Sequence, residues 1–388
     1  MGNPILMDNF EFLLPLSEEV IEHDFKNDEF CLGSKIHFWQ GEEIDFKAFE
    51  VAIIGFLDHS DHLSKTMHGV RKQLYAMYPG NWQKRMIDLG SIPLSESYSD
   101  NEFLIKNILQ VLLKNNIVPL ILGTDQKYTF AQYRAYDEVK YMVNMANIDA
   151  SFDLGDAEKE LSASNFVGQM IVNKPYNLFN YANLGYQSYY VRQDEIELVD
   201  KLFFEAYRLG EVTSDLKMTE PILRDSDMVS IDLESLKHSE VPIGDSKMIN
   251  GFQIKELCAI ARYAGLSEKV SSLGLYHVDK CLHSIASFEG FAQVLWYFIE
   301  GFNLRRKEQV NTKNPNFIKY IVPVEENDLV FYKSTFSERW WIEIPQFLTT
   351  NNKLKDKALL PCTKDNYLNA CQKEIPERWL KAKLKNEI

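Results

Sequence analysis

The chain has 388 residues, 45% of them hydrophobic, which is enough for a large core in one domain or two. Lys and Arg number 42 against 56 Asp and Glu, and the resulting formal net charge of −14 disfavours nonspecific binding to nucleic acid or to an anionic membrane. Five scattered cysteines without a C-x-x-C pair are typical of reduced thiols. The longest apolar stretch, residues 291–302, is too short to span a bilayer. We therefore expect a cytoplasmic protein with no nucleic-acid partner and no membrane insertion.

Residues 1–47 are mixed in character and carry acidic patches, so we interpret them as a lead-in segment packed on the outside of a main domain. From residue 48 onward, apolar runs alternate with longer amphipathic stretches. The apolar runs predict strands that are buried on both faces, at residues 51–56, 85–90, 117–123, 141–149, 181–186, 228–233 and 270–276. Periodicity and the intervening lengths predict helices at residues 101–115, 129–138, 193–210, 251–264 and 285–303.

Apolar strands that alternate with helices are typical of a parallel sheet covered on both faces. We therefore predict an α/β fold for residues 48–305, a three-layer α/β/α sandwich with a mostly parallel sheet of about eight strands. A closed barrel is also compatible with the alternation, but the number of units suits an open sheet better. In both architectures, ligands bind at the carboxyl ends of the strands.

After about residue 305 the pattern changes. Apolar runs at residues 329–333 and 340–345 flank a Ser- and Thr-containing turn, which predicts a β-hairpin. A closing helix, interrupted by Pro376, is predicted around residues 364–384. The Trp and Phe content is too high for a free tail, so residues 306–388 are predicted to form a C-terminal extension docked on the core.

Two pairs of acids stand where predicted strands end. Asp149 and Asp153 follow the strand that ends near residue 148, and Asp232 and Glu234 close the run that begins at residue 228. In a binuclear metal hydrolase, carboxylates bridge and fix two ions, which lower the pKa of a shared water molecule so that hydroxide exists near neutral pH. The four acids are therefore candidate metal ligands. Asp232 and Glu234 are two residues apart, so on an extended backbone their side chains would point to the same side and could face the other pair.

Three motifs occur in a fixed order: Gly123-Thr124-Asp125-Gln126, Asp149-Ala150-Ser151-Phe152-Asp153 and Asp232-Leu233-Glu234. This order resembles the ureohydrolase family of arginase, agmatinase and formimidoylglutamase, which carries Gly-Gly-Asp-His, Asp-Ala-His-x-Asp and Asp-x-Asp. Supporting matches are Asp88-Leu89-Gly90, and Gly69-Val70-Arg71 where the family has a helix start. The resemblance covers about residues 50–305 and is closest to the formimidoylglutamase-like branch.

The resemblance implies an arginase-like sandwich and a homo-oligomer, a trimer or a hexamer. It implies a pair of manganese ions at Asp149, Asp153, Asp232 and Glu234, and hydrolysis of a linear C–N bond. The sequence departs from the family at the ligands, because the two metal-binding histidines of the family correspond to Gln126 and Ser151 here. The second aspartate of the third motif is Glu234, which is longer by one methylene.

The catalytic positions also differ from the family pattern. The family has a histidine between its second and third motifs that acts on the leaving group, and residues 154–231 contain none here. The family glutamate that holds the cationic end of the substrate falls near Asp279, which is one carbon shorter. His277 stands beside it at a predicted strand end and is a candidate acid or base, although such a histidine is more often a packed, hydrogen-bonded residue.

Four clustered acids need a source of positive charge. Without one they would repel each other and at least one pKa would rise. We therefore expect either one hard cation (Mg²⁺, Ca²⁺ or Mn²⁺) or a Lys or Arg turned into the pocket. The alternative is that the acids are solvated or hydrogen-bonded loop residues. His59, His62 and His68 are a weak candidate for a replacement metal site, because scattered loop histidines are usually surface residues.

These observations favour a ureohydrolase-fold protein that has lost its binuclear manganese site and works by binding or as an assembly subunit, with no cofactor. The alternative is an active hydrolase of formimidoylglutamate or a guanidino compound that uses a carboxylate-only metal site. In that case Asp149 or Asp232 would bridge, and Asp279 would hold the substrate. A protein partner is a third expectation, for a chain that serves as a subunit of a larger assembly.

Overall fold

The computed structural model describes residues 8–21, 28–58, 61–242, 248–280, 284–308, 314–324, 327–345 and 358–387. The strands are β1 (Ile36–Phe38), β2 (Val51–Leu57), β3 (Met86–Pro93), β4 (Val118–Leu122), β5 (Val143–Ile148), β6 (Leu178–Tyr186), β7 (Glu205–Arg208), β8 (Met228–Asp232), β9 (Ser272–Tyr276), β10 (Phe317–Val324), β11 (Asn327–Ser334), β12 (Trp340–Ile344) and β13 (Ala358–Cys362).

The α-helices are α1 (Glu18–Ile21), α2 (Asp61–Ala76), α3 (Tyr98–Lys114), α4 (Thr129–Arg134), α5 (Phe166–Val172), α6 (Gln193–Lys201), α7 (Leu209–Ser214), α8 (Thr219–Asp225), α9 (Ile254–Leu266), α10 (Ile285–Asn303), α11 (Lys364–Cys371) and α12 (Glu377–Glu387). Short 3₁₀ turns lie at Asp8–Phe12, Leu32–Lys35, Phe46–Ala48, Gln126–Tyr128, Leu216–Met218, Leu233–Ser235 and Val278–Lys280. None of the helices in the described part of the chain combines the length and apolar character needed to cross a membrane.

The first nine strands form one parallel sheet in the order β1-β3-β2-β4-β9-β8-β5-β6-β7. The predicted three-layer α/β/α architecture is confirmed, with nine strands instead of about eight. The additional strands are the short edge strands: β1 lies within the predicted lead-in segment, and β7 lies within the predicted helix 193–210. A single helix over this range is wrong, because residues 205–208 pair with β6 at the sheet edge and separate α6, which ends at Lys201, from α7, which begins at Leu209.

Alternate residues of the strands face two separate hydrophobic layers. In β2, for example, Val51 and Ile53 belong to one core, and Ala52 and Ile54 belong to the other. Helices α2, α9 and α10 pack on the first face, and α3, α4, α5 and α6 pack on the second. Because both faces are covered, central strands such as β2 and β4 are apolar along their whole length and recognisable in the sequence.

The C-terminal extension has a sheet of its own. Strands β10, β11, β12 and β13 form an antiparallel sheet, and β11 and β12 are the predicted hairpin. The predicted closing segment with its interruption forms two helices, α11 and α12, and Pro376 stands just before the first residue of α12, Glu377. Trp340 and Trp379 are buried in the small core of this extension, which accounts for its aromatic content as packing.

Polar contacts hold the extension to the main sheet. Arg224, in α8, donates hydrogen bonds to the carbonyl oxygens of Trp340 (3.0 Å) and Cys362 (3.4 Å), and its guanidinium lies 4.4 Å from the ring centroid of Trp341. Arg378 of α12 pairs with Glu205 of β7 at 2.6 Å. The extension is therefore joined to the amino ends of the strands, which is the opposite edge from the acid pairs.

One buried ion pair joins α2 to β3 of the sheet. Arg71 Nε lies 2.8 Å from Asp88 Oδ2, both side chains are fully buried, and Arg71 Nη2 also donates to the carbonyl of Gly90 at 2.6 Å. Tyr75 donates a hydrogen bond to the same carboxylate. Gly69-Val70-Arg71 lies in the middle of α2, so the predicted helix start at this position is wrong.

Removing one partner of this pair should destabilise the protein strongly. We expect Asp88→Ala to lower the free energy of unfolding by about 3–5 kcal/mol, because it leaves a buried guanidinium without its counter-charge. The same change at the exposed pair Lys114–Glu138, Glu138→Ala, should cost about 0–1 kcal/mol. Urea unfolding of both variants measures the difference. Equal losses at the two sites would contradict a role of the buried charge.

Candidate functional site

The candidate site lies where the carboxyl ends of four neighbouring strands meet. In the sheet, β4, β9, β8 and β5 are adjacent, in that order, and all are parallel. The segments that follow them therefore emerge at one edge of the sheet, and they carry Gln126, His277, Asp232 and Asp149. The topology thus brings together residues from all three sequence motifs.

Ser151 links the two acids that follow β5. Its hydroxyl lies 2.7 Å from Asp153 Oδ1 and 3.3 Å from Asp149 Oδ1, and its backbone N–H donates to Asp149 Oδ1 at 3.0 Å. The amide of Asn147 contacts both acids from behind, at 3.4 and 3.5 Å. Both carboxylates are buried. They are held by neutral donors from the same segment of chain.

Gln126 bridges the β5 acids to the end of β9. Its side-chain Nε2 donates to Asp149 Oδ2 at 2.6 Å, and its backbone N–H lies 3.4 Å from His277 Nε2. The second contact is at the long limit of a hydrogen bond, so it does not fix His277 Nε2 as an acceptor. The first contact is short, and it places an amide donor directly against the carboxylate of Asp149.

The β8 acids are paired with two cationic groups from the segment after β9. His277 Nδ1 lies 2.7 Å from Asp232 Oδ1 and 3.4 Å from Glu234 Oε2, and Lys280 Nζ lies 2.7 Å from Glu234 Oε2. Asp232 also accepts from the backbone N–H of Glu234 at 2.8 Å. Lys280 meets the expectation of a basic side chain turned toward the acids, although the sequence did not single this lysine out.

The site thus consists of two hydrogen-bonded groups that approach each other at the 3.4 Å contact between Gln126 and His277. The first group is Asp153, Ser151, Asp149 and Gln126, and the second is His277, Asp232, Glu234 and Lys280. Each of the four carboxylates accepts at least one hydrogen bond from a side chain of the chain itself. We call these eight residues the carboxylate network.

The backbone at this edge is held in uncommon conformations. Asp153 (φ 53°) and His277 (φ 61°) are both left-handed, which Asp and His tolerate better than most residues. A Cβ on Gly123 would lie 2.4 Å from Cδ1 of Tyr276, so only glycine allows the loop after β4 to pass this close to the end of β9. These positions aim the Asp153 carboxylate and the His277 imidazole into the network.

Burial dominates the pKa values of the β5 acids. Desolvation and the nearby charge of Asp232 raise the pKa of Asp149 to about 7. Desolvation and the charge of Asp149 raise the pKa of Asp153 well above its usual value. Burial acts to lower the pKa of His277, but the charge of Asp232 and its hydrogen bond outweigh burial and raise it to about 9. These shifts favour the protonated forms of Asp149, Asp153 and His277 relative to the same groups in water.

The structure places the remaining candidate residues, the histidines and Asp279, in different surroundings. His277 lies beside Asp232 and Glu234, and ligand atoms of these three residues all fall within 4.8 Å of one another. Asp279 follows in the turn Val278–Lys280, where burial raises its pKa. His59 and the side chain of His62 lie outside the described residues, and His68 is a half-buried residue of α2 whose pKa is lowered by burial.

Family comparison agrees with this arrangement. The model of the arginase family matches residues 61–279, which is more than half of the chain and contains all three motifs. The chain belongs to the arginase family. A comparison of the sequence with curated proteins returns no match.

Solved structures give the same fold at low sequence identity. Formiminoglutamase of Trypanosoma cruzi, crystallised with Mn²⁺, is 15% identical with a TM-score of 0.60, over 68% of this chain and 97% of that chain. Formimidoylglutamase of Bacillus subtilis is 19% identical with a TM-score of 0.62, over 77% and 99%. Agmatine ureohydrolase of Thermoplasma volcanium is 13% identical with a TM-score of 0.53, over 66% and 91%. At these identities the likeness establishes the fold of the arginase-family core.

The raised pKa of Asp149 gives the stability a pH dependence of known sign. In the unfolded chain this carboxyl loses its proton near its ordinary pKa of about 4, whereas in the folded protein it keeps the proton up to about pH 7. The folded state then binds more protons, so the free energy of unfolding falls as the pH rises from about 4 to 7.

Asp149→Asn should remove much of this decline. Relative to the wild type, we expect the variant to gain about 2–4 kcal/mol of stability between pH 4 and pH 8, measured by urea unfolding in EDTA. Asp156→Asn, at an exposed aspartate in the following loop, serves as the control and should leave the profile unchanged. Parallel pH profiles for Asp149→Asn and the wild type would show that Asp149 has no raised pKa.

Proposed function

We propose that this arginase-family protein lacks the binuclear manganese centre and acts by binding, or as an assembly subunit, instead of by hydrolysis. The observation that carries the proposal is the carboxylate network. Its four carboxylates are satisfied by an amide, a hydroxyl, an imidazole and an ammonium that the chain itself supplies. Each donor lies within 2.7 Å of a carboxylate oxygen.

The donor set fits a manganese pair poorly. Manganese sites of this kind combine carboxylates with neutral imidazoles, and the resemblance assigns the two imidazole positions to Gln126 and Ser151. An amide and a hydroxyl oxygen are weaker ligands for Mn²⁺, and each ion would lose its nitrogen donor. In addition, Gln126 presents its NH₂ group to Asp149 at 2.6 Å, which is the wrong polarity for binding a cation between them. We derive no hydrolytic step through such a centre.

Charge balance supports the same proposal. Lys280 and a protonated His277 neutralise Asp232 and Glu234 at distances of 2.7 Å. The raised pKa values of Asp149 and Asp153 allow protons to take the place of metal charge on the other pair. The network is therefore close to neutral without a divalent ion, and a metal would have to displace both a proton and the Lys280 contact.

One observation favours the alternative of a metal-dependent hydrolase acting on a linear C–N bond. The ligand atoms of Asp232, Glu234 and His277 lie within 4.8 Å of one another, so a single divalent cation could bind there with two carboxylates and one imidazole. This set contains a histidine from the end of β9 and is distinct from the carboxylate-only site expected from the sequence. It requires His277 to be neutral, which its raised pKa opposes.

Metal content after manganese loading tests the proposal. We expect the wild type to retain essentially no Mn²⁺ after loading and dialysis, measured by plasma mass spectrometry, and to release neither formamide from formimidoylglutamate nor urea from arginine or agmatine. The double variant Gln126→His/Ser151→His restores both imidazoles and should retain up to about two ions per chain. Gln193→His/Ser99→His makes the same exchanges at exposed positions and should retain none.

Each other outcome has a definite meaning. A wild type that holds about two ions tightly, or that hydrolyses any of the three substrates, overturns the non-hydrolytic proposal. One bound ion per chain that is lost in His277→Ala, together with hydrolysis, establishes the single-metal alternative. A double variant that folds but gains no manganese shows that the missing imidazoles are not what separates this site from a binuclear centre.

A further inference from the structure

Two adjoining clefts lie at the amino ends of the strands, opposite the carboxylate network. The first, of about 320 Å³, is bounded by α5, the start of β6, the end of α6 and α12. The second, of about 280 Å³, lies between the amino ends of β5 to β7 and the C-terminal extension. They share Phe179, Phe203 and Lys385. Their combined volume falls within the size range of small-molecule sites, roughly 300–1,000 Å³.

The C-terminal extension contributes the decisive residue. Lys385 belongs to α12, which lies beyond the residues 61–279 matched by the arginase family. The other walls of the first cleft come from the core. The paired clefts are therefore created by docking the extension onto the sheet, and they are separate from the site that the family comparison addresses.

The second cleft is lined by five cationic side chains, and four of them are paired with carboxylates. The pairs are Lys140 with Asp227, Lys269 with Asp225 (2.9 Å), Arg378 with Glu205 (2.6 Å), and Lys381 with Glu377 (3.0 Å). These four contacts balance the charges of their cations, and the Arg378–Glu205 pair also joins the extension to β7. They leave the fifth cation, Lys385, to be considered alone.

Lys385 has a different environment from the other four. Among the residues that the structure describes, no carboxylate lies within 4.0 Å of its ammonium group. The ammonium donates to the side-chain oxygen of Asn180 and lies 5.0 and 5.6 Å from the ring centroids of Phe204 and Phe179. Burial lowers the pKa of Lys385 to about 8, which indicates a charge that lacks a full counter-charge.

The first cleft offers an apolar path that leads away from this ammonium. Its walls include Met170, Ile171, Leu178, Leu202 and Phe204, and Lys385 closes the end where it joins the second cleft. The ammonium of Lys385 beside the apolar first cleft is suited to a ligand that has one negative charge and an apolar body. A dianionic phosphate would bring surplus negative charge close to Glu205 and Asp225.

We propose that the two clefts form one binding site for an amphipathic carboxylate, with its headgroup paired to Lys385 and its apolar chain lying in the first cleft. The ion pair and the aromatic edges fix the headgroup, and burial of the chain supplies most of the affinity. This site is independent of the proposed function at the other edge of the sheet, because it shares no residue with the carboxylate network.

Calorimetric titration of the full-length protein with decanoate tests the proposal. We expect saturable binding by the wild type, and affinity at least about tenfold lower for Lys385→Met, which keeps the apolar stem and removes the charge. Lys383→Met, on the same helix with its ammonium over the ring of Trp379 at 5.5 Å, is the matched control and should bind decanoate like the wild type. Decanol should bind more weakly than decanoate, and inorganic phosphate should not compete.

A second variant tests the apolar half of the site. Ile171→Trp fills the first cleft without touching the charge and should also weaken decanoate binding, with an unfolding midpoint that confirms an intact fold. Absence of binding by the wild type, equal affinity of Lys385→Met and the wild type, or equal affinity for decanol and decanoate would each overturn the proposal. In those cases Lys385 serves only to anchor α12 to Asn180.

Discussion

Four carboxylates gathered at the ends of neighbouring parallel strands dominate the chemistry of this protein. The sheet order places β8 and β5 side by side, so the four acids at the ends of these two strands lie at one poorly solvated edge of the sheet. Repulsion between such groups in a medium of low effective dielectric is severe, and it must be relieved by metal ions, by basic side chains or by protons. A metal-binding relative relieves it with metal. Here an ammonium, an imidazole, an amide and a hydroxyl of the chain lie within hydrogen-bonding distance of a carboxylate.

The substitutions in this network are mutually consistent in physical terms. A histidine and a glutamine at position 126 would present different groups to Asp149. A histidine that binds a metal ion leaves the carboxylate facing that cation, whereas the glutamine amide gives the carboxylate an N–H donor. Ser151 has the same effect on Asp153. Under the proposal that both residues stand at histidine positions, each would remove a nitrogen ligand and also satisfy an acid of the network, so the two changes would reinforce one another. Restoring one imidazole alone would leave the other acid hydrogen-bonded as it is now.

Sequence patterns revealed the sheet and the motifs, but only part of the site. Strands such as β2 and β4 are recognisable because burial on both faces makes them continuously apolar. The edge strand β7 was not predicted, because it pairs with only one strand, half of its residues are polar, and the sequence around it has a helical pattern. Lys280 was missed for a related reason: its partner Glu234 is 46 residues away, and only the adjacency of β8 and β9 brings them together. Local spacing carries no signal of such a contact.

The two edges of the sheet are independent electrostatic environments. Strand β5 has six residues, so its two ends are separated by five steps of about 3.3 Å, roughly 17 Å in all. This distance is about twice the Debye length at physiological salt, roughly 8 Å, so interactions through solvent between the two edges are strongly screened. Changes in the carboxylate network should therefore add to changes at Lys385 without coupling, as expected for distant sites that share no partners. A chain with this architecture can lose one chemistry at the carboxyl edge and acquire another at the amino edge, because neither change has to accommodate the charges of the other.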